Sequence, residues 1–285
     1  MRPPVPPAPD GRVLRFRAGS GPLTMTTGRG RRAALVLDIG SDRTVVWSRR
    51  NGMETHPSCV SVDHRGRIDG YGGAALQADG GPGSLVWPLL WGEVRDDLLA
   101  RSFLRWLVSR SAQHKGRDPI LLPLPAATPD HHSARWTRLV ESVGSKWAVA
   151  DRPLAIVLGL GLSPGSERAR LVAEVTSDHT EVSVISSGRV ATGQLHRPPQ
   201  SGDHLVDHLG SVLRDLDSDD ELDIREEGIH LVAPEKIADS LAHSIADGLG
   251  TPVLVTGTEA NPAVMGAAEM LIDTTAVGAE VLSRV

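Results

Sequence analysis

The chain has 285 residues, of which 40% are hydrophobic and only 3% aromatic, and this suits two domains or one large α/β domain with an aliphatic core. Its net charge of −5 gives no support for nucleic-acid binding, and its one cysteine, Cys59, excludes an internal disulfide and a cysteine-cluster metal site. There is no apolar run of membrane-spanning length and no signal-peptide core, so a reducing cytoplasm is expected.

Residues 1–32 differ in composition from the rest of the chain. They are rich in proline, glycine and arginine, which predicts a disordered basic arm. One hypothesis is that the arm touches anionic lipid or an acidic partner through Arg12, Arg15, Arg17, Arg29, Arg31 and Arg32. The alternatives are a solvated linker, or sequence upstream of a true start at Met25.

The stretch Ala33 to Trp47 predicts a β-hairpin. A buried-strand run ends in Asp38, Gly40 and Ser41 form a tight turn, and a second strand run follows. Such a turn exposes backbone N–H groups that can point at a phosphate, and Asp38 could hold a metal or a water beside it. An ordinary hairpin with an aspartate in its turn is the open alternative.

Strand and helix patterns alternate after this hairpin. Period-two and short apolar runs predict strands at 58–63, 67–71, 120–124 and 147–150. Helical spacing predicts helices at 96–109, 134–143 and 154–160, and the last of these is opened by Pro153 and ended by Gly161.

A second β-rich stretch begins after the boundary-like segment 162–167. Strands are predicted at 170–175, 180–186, 189–195, 229–233 and 253–256, and helices at 205–216, 237–249 and 262–271. The strand-turn-strand-turn-strand order near residue 170 repeats the order near residue 33, which indicates an internal duplication. The acidic stretch between Leu216 and Ile229 is predicted to be a loop.

From about Leu35 to Leu271 the chain resembles the actin-like ATPase superfamily, and within it the bacterial cell-shape actins MreB and Mbl. LDIGSDRTVVW is similar to the first phosphate loop of that family, EVTSDHTEVSVISSGRV to the second, and IHLVAPEKIADSLAHSIADGLG to the start of the adenosine segment. The resemblance implies an α/β, actin-like fold of two ribonuclease-H-like halves. It places them at 33–161, with a small subdomain at about 55–85, and at 162–285, with the small subdomain deleted near 217–228.

The resemblance also implies a nucleotide site between the halves, with ATP and Mg²⁺ as cofactors. The residues that match its nucleotide-binding pattern are Asp38, Gly40, Ser41, Thr44, Glu174, Thr180, Glu181, Gly202 and Asp203. Asp38 is the candidate metal ligand, and His132 stands at the position of the family's catalytic glutamate. Because no matched carboxylate is near in sequence, His131 and His132 are expected to be a solvated helix start rather than a metal pair.

Two segments of this pattern are altered. Thr176, Ser177 and Asp178 replace the glycines of the second loop, and Ala233-Pro234-Glu235 replaces a glycine triplet. The replacements remove positive-φ freedom and an N–H donor and add negative charge. They predict a closed phosphate site and the loss of ATPase activity.

The sequence therefore predicts a cytoplasmic MreB/Mbl-like protein with a degenerate nucleotide site, acting as a scaffold or adaptor in cell-shape determination and cell-wall synthesis. Expected partners are MreB or Mbl filaments or cell-wall synthesis proteins, with peripheral membrane contact through the basic arm as a secondary expectation. The alternative is an active, ATP-binding, filament-forming bacterial actin, which the retained Asp38, Glu181 and Gly202-Asp203 favour. A sugar-kinase-type phosphotransferase would need a substrate-binding insertion that the sequence does not show.

Overall fold

A computed structural model describes residues 35–78, 84–90, 93–111, 120–143, 147–197 and 202–272, so the predicted basic arm lies outside the described residues. The strands are β1 (Leu35–Ile39), β2 (Arg43–Ser48), β3 (Gly52–Pro57), β4 (Val60–Val62), β5 (Ile68–Tyr71), β6 (Ser84–Val86), β7 (Leu89–Leu90), β8 (Glu93–Val94), β9 (Ile120–Leu124), β10 (Trp147–Asp151), β11 (Arg170–Val175), β12 (Thr180–Ser186), β13 (Arg189–His196), β14 (Ile229–Ala233) and β15 (Val253–Gly257). The helices are α1 (Gly73–Ala78), α2 (Asp97–Ser111), α3 (Asp130–Glu141), α4 (Arg152–Gly159), α5 (Gly202–Arg214), α6 (Ser218–Glu227), α7 (Glu235–Leu249) and α8 (Pro262–Ile272), with a short 3₁₀ turn at Thr258–Ala260.

Two five-stranded sheets share one topology, in the orders β3-β2-β1-β9-β10 and β13-β12-β11-β14-β15. In each sheet the first three strands in sequence form an antiparallel meander, and the last two join in parallel. The predicted internal duplication is therefore confirmed. We call the first sheet with its helices through α4 the first half, and the second sheet with α5 to α8 the second half.

The third strand of the first sheet is not the one that the sequence indicated. The predicted strand at 58–63 shortens to β4, which pairs with β5 and β6 in a separate three-stranded sheet. The third strand is instead β3, whose sequence GMETHP carries little apolar alternation. Because β3 is an edge strand with largely solvent-facing side chains, its pattern gave no hydrophobic signal.

The acidic stretch after α5 was wrongly predicted to be a loop, because most of it forms helix α6. Asp217 caps this helix by accepting a hydrogen bond from the backbone N–H of Asp220 at 2.9 Å, and acidic side chains fill its first turn. Ile224 is its one fully buried residue, so the apolar periodicity that identifies a helix is nearly absent. Ion pairs from Arg168 and Arg170 hold the helix against β11.

Helices α4 and α8 cross between the two sheets at two glycines. A Cβ on Gly159 would lie 1.9 Å from the backbone oxygen of Pro262, and one on Gly266 would lie 1.8 Å from that of Ala155. The helices share an apolar cluster with side chains from both sheets, including Val36 and Val172. Because each helix directly follows the last strand of its half, both begin at the edge where the β1–β2 and β11–β12 turns lie. Across the described ranges, none of the helices has the length and apolarity needed to cross a membrane.

Candidate functional site

A cleft of about 280 Å³ lies between the two halves, where the β1–β2 turn faces the β11–β12 turn. The start of α4 and the 3₁₀ turn at Thr258–Ala260 complete its walls. The resemblance places the nucleotide phosphates between these two turns. The chemistry of the turns therefore decides what the cleft can hold.

The two turns are built on the same backbone plan. In the first, the N–H of Gly40 donates to the oxygen of Arg43 at 3.0 Å, and in the second the N–H of Thr176 donates to the oxygen of His179 at 2.9 Å. Ile39 pairs with Thr44, as Val175 pairs with Thr180. Asp38 and Glu174 therefore occupy equivalent positions, as do Gly40 and Thr176, Asp42 and Asp178, and Val45 and Glu181.

Arg152 lies between the two equivalent carboxylates. It is the first residue of α4, followed by Pro153, and this position directs its side chain into the cleft. Its Nη1 and Nη2 donate to the carboxylate of Asp38, and its Nε and Nη2 donate to that of Glu174 at 2.6 and 2.8 Å. The planar guanidinium thus makes a two-pronged contact with each acid.

The pKa values of the buried groups reflect this arrangement. Burial by itself would lower the pKa of Arg152, but Asp38 and Glu174 raise it well above its ordinary value. Burial would raise the pKa of Glu174, but the charge of Arg152 and hydrogen bonds from His179 and Arg152 lower it to about 2. Arg152 and Glu174 are therefore a fixed ion pair at physiological pH.

Asp178 of the second turn contacts the backbone of the first turn. Its Oδ2 accepts a hydrogen bond from the N–H of Ser41 at 2.8 Å, and the residue is 5% exposed. A Cβ on Gly40 would lie 3.1 Å from the same oxygen, so glycine is what permits this approach. An amide that could bind a phosphate oxygen is therefore already bound to a carboxylate of the protein.

The amides of the second turn are also satisfied from within. The Oγ1 of Thr176 accepts hydrogen bonds from the N–H groups of Asp178 and His179, both at 3.1 Å. Serine and threonine side chains commonly stabilise turns by such hydrogen bonds to nearby backbone amides. These two N–H groups consequently have no need of an anionic ligand.

Glu181 lies directly across the hairpin from Glu174 and is buried. Burial and the charge of Glu174 raise the pKa of Glu181 to about 8, although the N–H of Ala126 donates to its Oε1 at 2.7 Å. Glu174, His179 and Glu181 offer ligand atoms within 4.8 Å of one another, a spacing that suits a metal ion. Both oxygens of Glu174 already accept hydrogen bonds from Arg152, so a metal would have to compete with the guanidinium.

His132 lies in the first turn of α3, where it contacts charged side chains. Its Nδ1 is 3.5 Å from Oε1 of Glu93 and 3.3 Å from Nη1 of Arg197. Burial, partly offset by Glu93, lowers the pKa of His132 below its ordinary value. The solvated helix start expected from the sequence describes His131, which is exposed, whereas His132 is half-buried in this small network.

The remaining predicted site residues divide into two groups. Asp38, Gly40 and Glu174 line the cleft. Thr44 is buried behind the first turn, where its Oγ1 lies 2.8 Å from Oγ of Ser58, and Thr180 is buried at the start of β12. Gly202 and Asp203 begin α5 and, in the part of the chain that the structure describes, lie outside the cleft lining.

Sequence reasoning missed the most consequential residue, Arg152. It follows Asp151 at the start of a helix that is otherwise apolar, RPLAIVLG. A single arginine at the start of a buried helix was the available signal. Its two acidic partners are separated from it by 114 and 22 positions in sequence, so no local pattern connects them.

These residues do not fit ATP and Mg²⁺. Asp178 holds the Ser41 amide, Thr176 holds the second turn, and Arg152 holds the carboxylates of Asp38 and Glu174. The cleft walls also carry Asp42 and Glu259, so a highly negative triphosphate would meet several carboxylates. We therefore assign no chemical step to a nucleotide.

Comparison with known proteins identifies the fold. No protein-family profile and no curated protein matches the chain. Among solved structures, MreB5 of Spiroplasma citri bound to AMPPNP superposes with a TM-score of 0.74 at 14% identity, over 86% of this chain and 97% of that one. The same protein bound to ADP superposes with a TM-score of 0.74 at 15% identity, over 86% of this chain and 98% of that one.

A further solved structure superposes less closely. The MamK double helical filament gives a TM-score of 0.65 at 13% identity, over 84% of this chain and 98% of that chain. Identities this low establish the fold and leave function open. The chain therefore has the actin-like fold, with duplicated mixed sheets flanked by helices, that MreB5 and MamK also have.

Proposed function

We propose that this protein is an actin-like scaffold or adaptor whose nucleotide site is degenerate, and that it serves bacterial cell-shape determination and cell-wall synthesis without hydrolysing ATP. The observation that carries the proposal is that Arg152 lies between Asp38 and Glu174. A protein guanidinium thereby neutralises the two acids that could hold a nucleotide-bound cation. His132, at the position of the family's catalytic glutamate, is engaged by Glu93 and Arg197.

The fold comparison supports the structural part of this proposal. MreB5 is a bacterial protein of this fold, and MamK of this fold forms a double helical filament. We infer that this chain works beside such filaments, with MreB- or Mbl-type filaments or cell-wall synthesis proteins as partners. The division into halves at 33–161 and 162–285, with α6 in place of a small subdomain near 217–228, belongs to the same proposal. The second candidate is an active, filament-forming ATPase, favoured by the retained Asp38 and Gly40 and by the nucleotides bound to MreB5.

Thermal unfolding of the full chain, with and without millimolar ATP and Mg²⁺, separates the two candidates. A ligand present at about 100 times its Kd stabilises a native protein by about 2.7 kcal/mol, which is a shift of several degrees. We expect no shift and no phosphate release. A shift of several degrees that Asp38→Asn abolishes would establish a nucleotide site in this cleft and refute the proposal.

The partner part of the proposal has its own test. Purified chain is sedimented with preformed MreB- or Mbl-type filaments, and a matched sample lacks residues 1–32. We expect co-sedimentation of both forms, because the proposed contacts lie on the folded halves. Failure of both forms to co-sediment would contradict the filament-partner proposal, and failure of the truncated form alone would assign the contact to the arm.

A further inference from the structure

We propose that the protein's own side chains hold the two halves closed around the cleft. The Asp178 carboxylate acts as a built-in anion, which means that it takes the place of an anion supplied by a ligand. The Arg152 guanidinium acts in the same sense as a built-in cation. The two halves are then closed permanently and independently of any ligand. This inference rests on the proposed function and deepens it, because it states what the degenerate site does instead of binding a nucleotide.

The anionic contact joins one hairpin turn to the other. Oδ2 of Asp178, in the second half, accepts the N–H of Ser41, in the first half, at 2.8 Å. Among the described residues the second oxygen of Asp178, Oδ1, is buried and has no hydrogen-bond partner. Burying a carboxylate with one oxygen unsatisfied is unfavourable unless the contact it makes stabilises the closed arrangement. The Ser41 hydrogen bond and the charge of Arg197, which interacts with Asp178, offset part of this cost.

The cationic contact joins the halves beside the anionic one. Arg152 extends from the first half and binds Glu174 of the second half while it also binds Asp38. Its side chain is 10% exposed and that of Glu174 is 3% exposed, so water screens the pair only weakly. Opening the cleft would separate this weakly screened ion pair and break its two hydrogen bonds, which disfavours the open state.

Two further hydrogen bonds cross the same cleft. The N–H of Ala126 donates to Oε1 of Glu181 at 2.7 Å, and Nη2 of Arg43 lies 3.4 Å from the backbone oxygen of Thr258. The closing contacts therefore extend from the turns to the cleft rim, and every one of them is made between protein groups. A ligand shifts a conformational equilibrium only if it binds the two states differently, and these contacts favour the closed state without any ligand.

Spin labels on the full chain test this closure by measuring the distance between the halves. The labels are placed at exposed positions, Arg49→Cys in the first half and Lys236→Cys in the second, while the native Cys59 is buried. The ligand-free chain should give one narrow distance distribution that millimolar ATP and Mg²⁺ leave unchanged. A broad ligand-free distribution, or one that narrows with ATP, would overturn the proposal.

The variant Asp178→Gly tests whether the Asp178 carboxylate holds the two halves together. It removes the built-in anion from the Ser41 amide. We expect the distance distribution to broaden and the thermal midpoint to fall by several degrees, and we expect inorganic pyrophosphate to reverse both changes. Asp178→Asn keeps an acceptor oxygen for the Ser41 amide and should stay closed. An unchanged distance distribution in Asp178→Gly would refute the proposal that Asp178 holds the halves closed as a built-in anion.

The outcomes separate this inference from the proposed function. A thermal shift with ATP at an unchanged distance refutes the non-nucleotide function and leaves closure standing. A broad ligand-free distribution without any thermal shift refutes closure and leaves the non-nucleotide function standing.

Discussion

The two hairpin turns of the cleft have one backbone plan and opposite chemistry. The first turn keeps Gly40 and offers the Ser41 amide. In the second turn, Thr176 accepts hydrogen bonds from the turn's own amides, and Asp178 binds the Ser41 amide of the first turn. Duplication gave both halves the same register, but only one of them still presents a turn that could receive an anion. The comparison teaches that two hairpins can keep one backbone plan while the side chains of only one of them satisfy the amides of its own turn.

The largest expected effect concerns Arg152, which joins the equivalent acids of the two hairpins. Arg152→Met leaves Asp38 and Glu174 buried without a cation, and we expect the free energy of unfolding to fall by about 3–5 kcal/mol. Arg168 is a matched control, because it contacts three acidic side chains where Arg152 contacts two, but its own side chain is 51% exposed, against 10% for Arg152.

Denaturant unfolding of both variants measures this difference. Arg168→Met should lose less than about 1 kcal/mol, because solvent screens exposed ion pairs. Equal losses in the two variants would show that Arg152 contributes no more than a surface arginine. A further variant that combines Arg152→Met with Asp38→Asn and Glu174→Gln should recover part of the loss, since it removes the unpaired charges.

The next effect concerns Glu181, whose equivalent in the first hairpin is Val45. The folded pKa of Glu181 is raised from 4.5 to about 8, so between these pH values unfolding releases a proton and a rising pH favours the unfolded state. Glu181→Gln removes this dependence and keeps an acceptor for the Ala126 amide. We expect it to stabilise the protein by about 4 kcal/mol at pH 8, with little effect near pH 4.

Urea unfolding across this pH range checks the expectation, with Glu167→Gln as the control at an exposed carboxylate. The control should follow the parent chain at every pH. Parallel pH profiles for Glu181→Gln and the parent chain would mean that Glu181 is not held neutral in the folded state.

The smallest expected effect concerns Thr176, which stands where the first turn has Gly40. Thr176→Val removes the acceptor of two amide N–H groups, and we expect a loss of about 1–2 kcal/mol in unfolding free energy. Ser177→Ala, at the exposed neighbour in the same turn, should change stability by less than about 0.5 kcal/mol. If the two variants are equally stable, the second turn does not depend on its side-chain acceptor.

The elements that could be predicted are those with a hydrophobic period. Strands β9, β11, β12 and β14 begin and end where the apolar pattern indicated, because both their faces or one full face are buried. Strand β3 and helix α6 escaped prediction, since an edge strand and a surface helix with one buried residue carry almost no such period. The closed phosphate site was predicted from Thr176, Ser177 and Asp178, and it stays a prediction until ligand binding is measured.

By itself the sequence determined the duplicated strand order, the actin-like resemblance and the loss of glycine in the second turn, because each of these can be recognised from residues that are adjacent in sequence. Only the tertiary structure decided that Arg152 would bind both Asp38 and Glu174, and that Asp178 would reach the Ser41 amide. Asp178 and Ser41 are 137 positions apart, and they meet because α4 and α8 pack closely enough at Gly159 and Gly266 to bring the two sheets' turns together. Such contacts depend on how the halves pack, and no local pattern of residues encodes that packing.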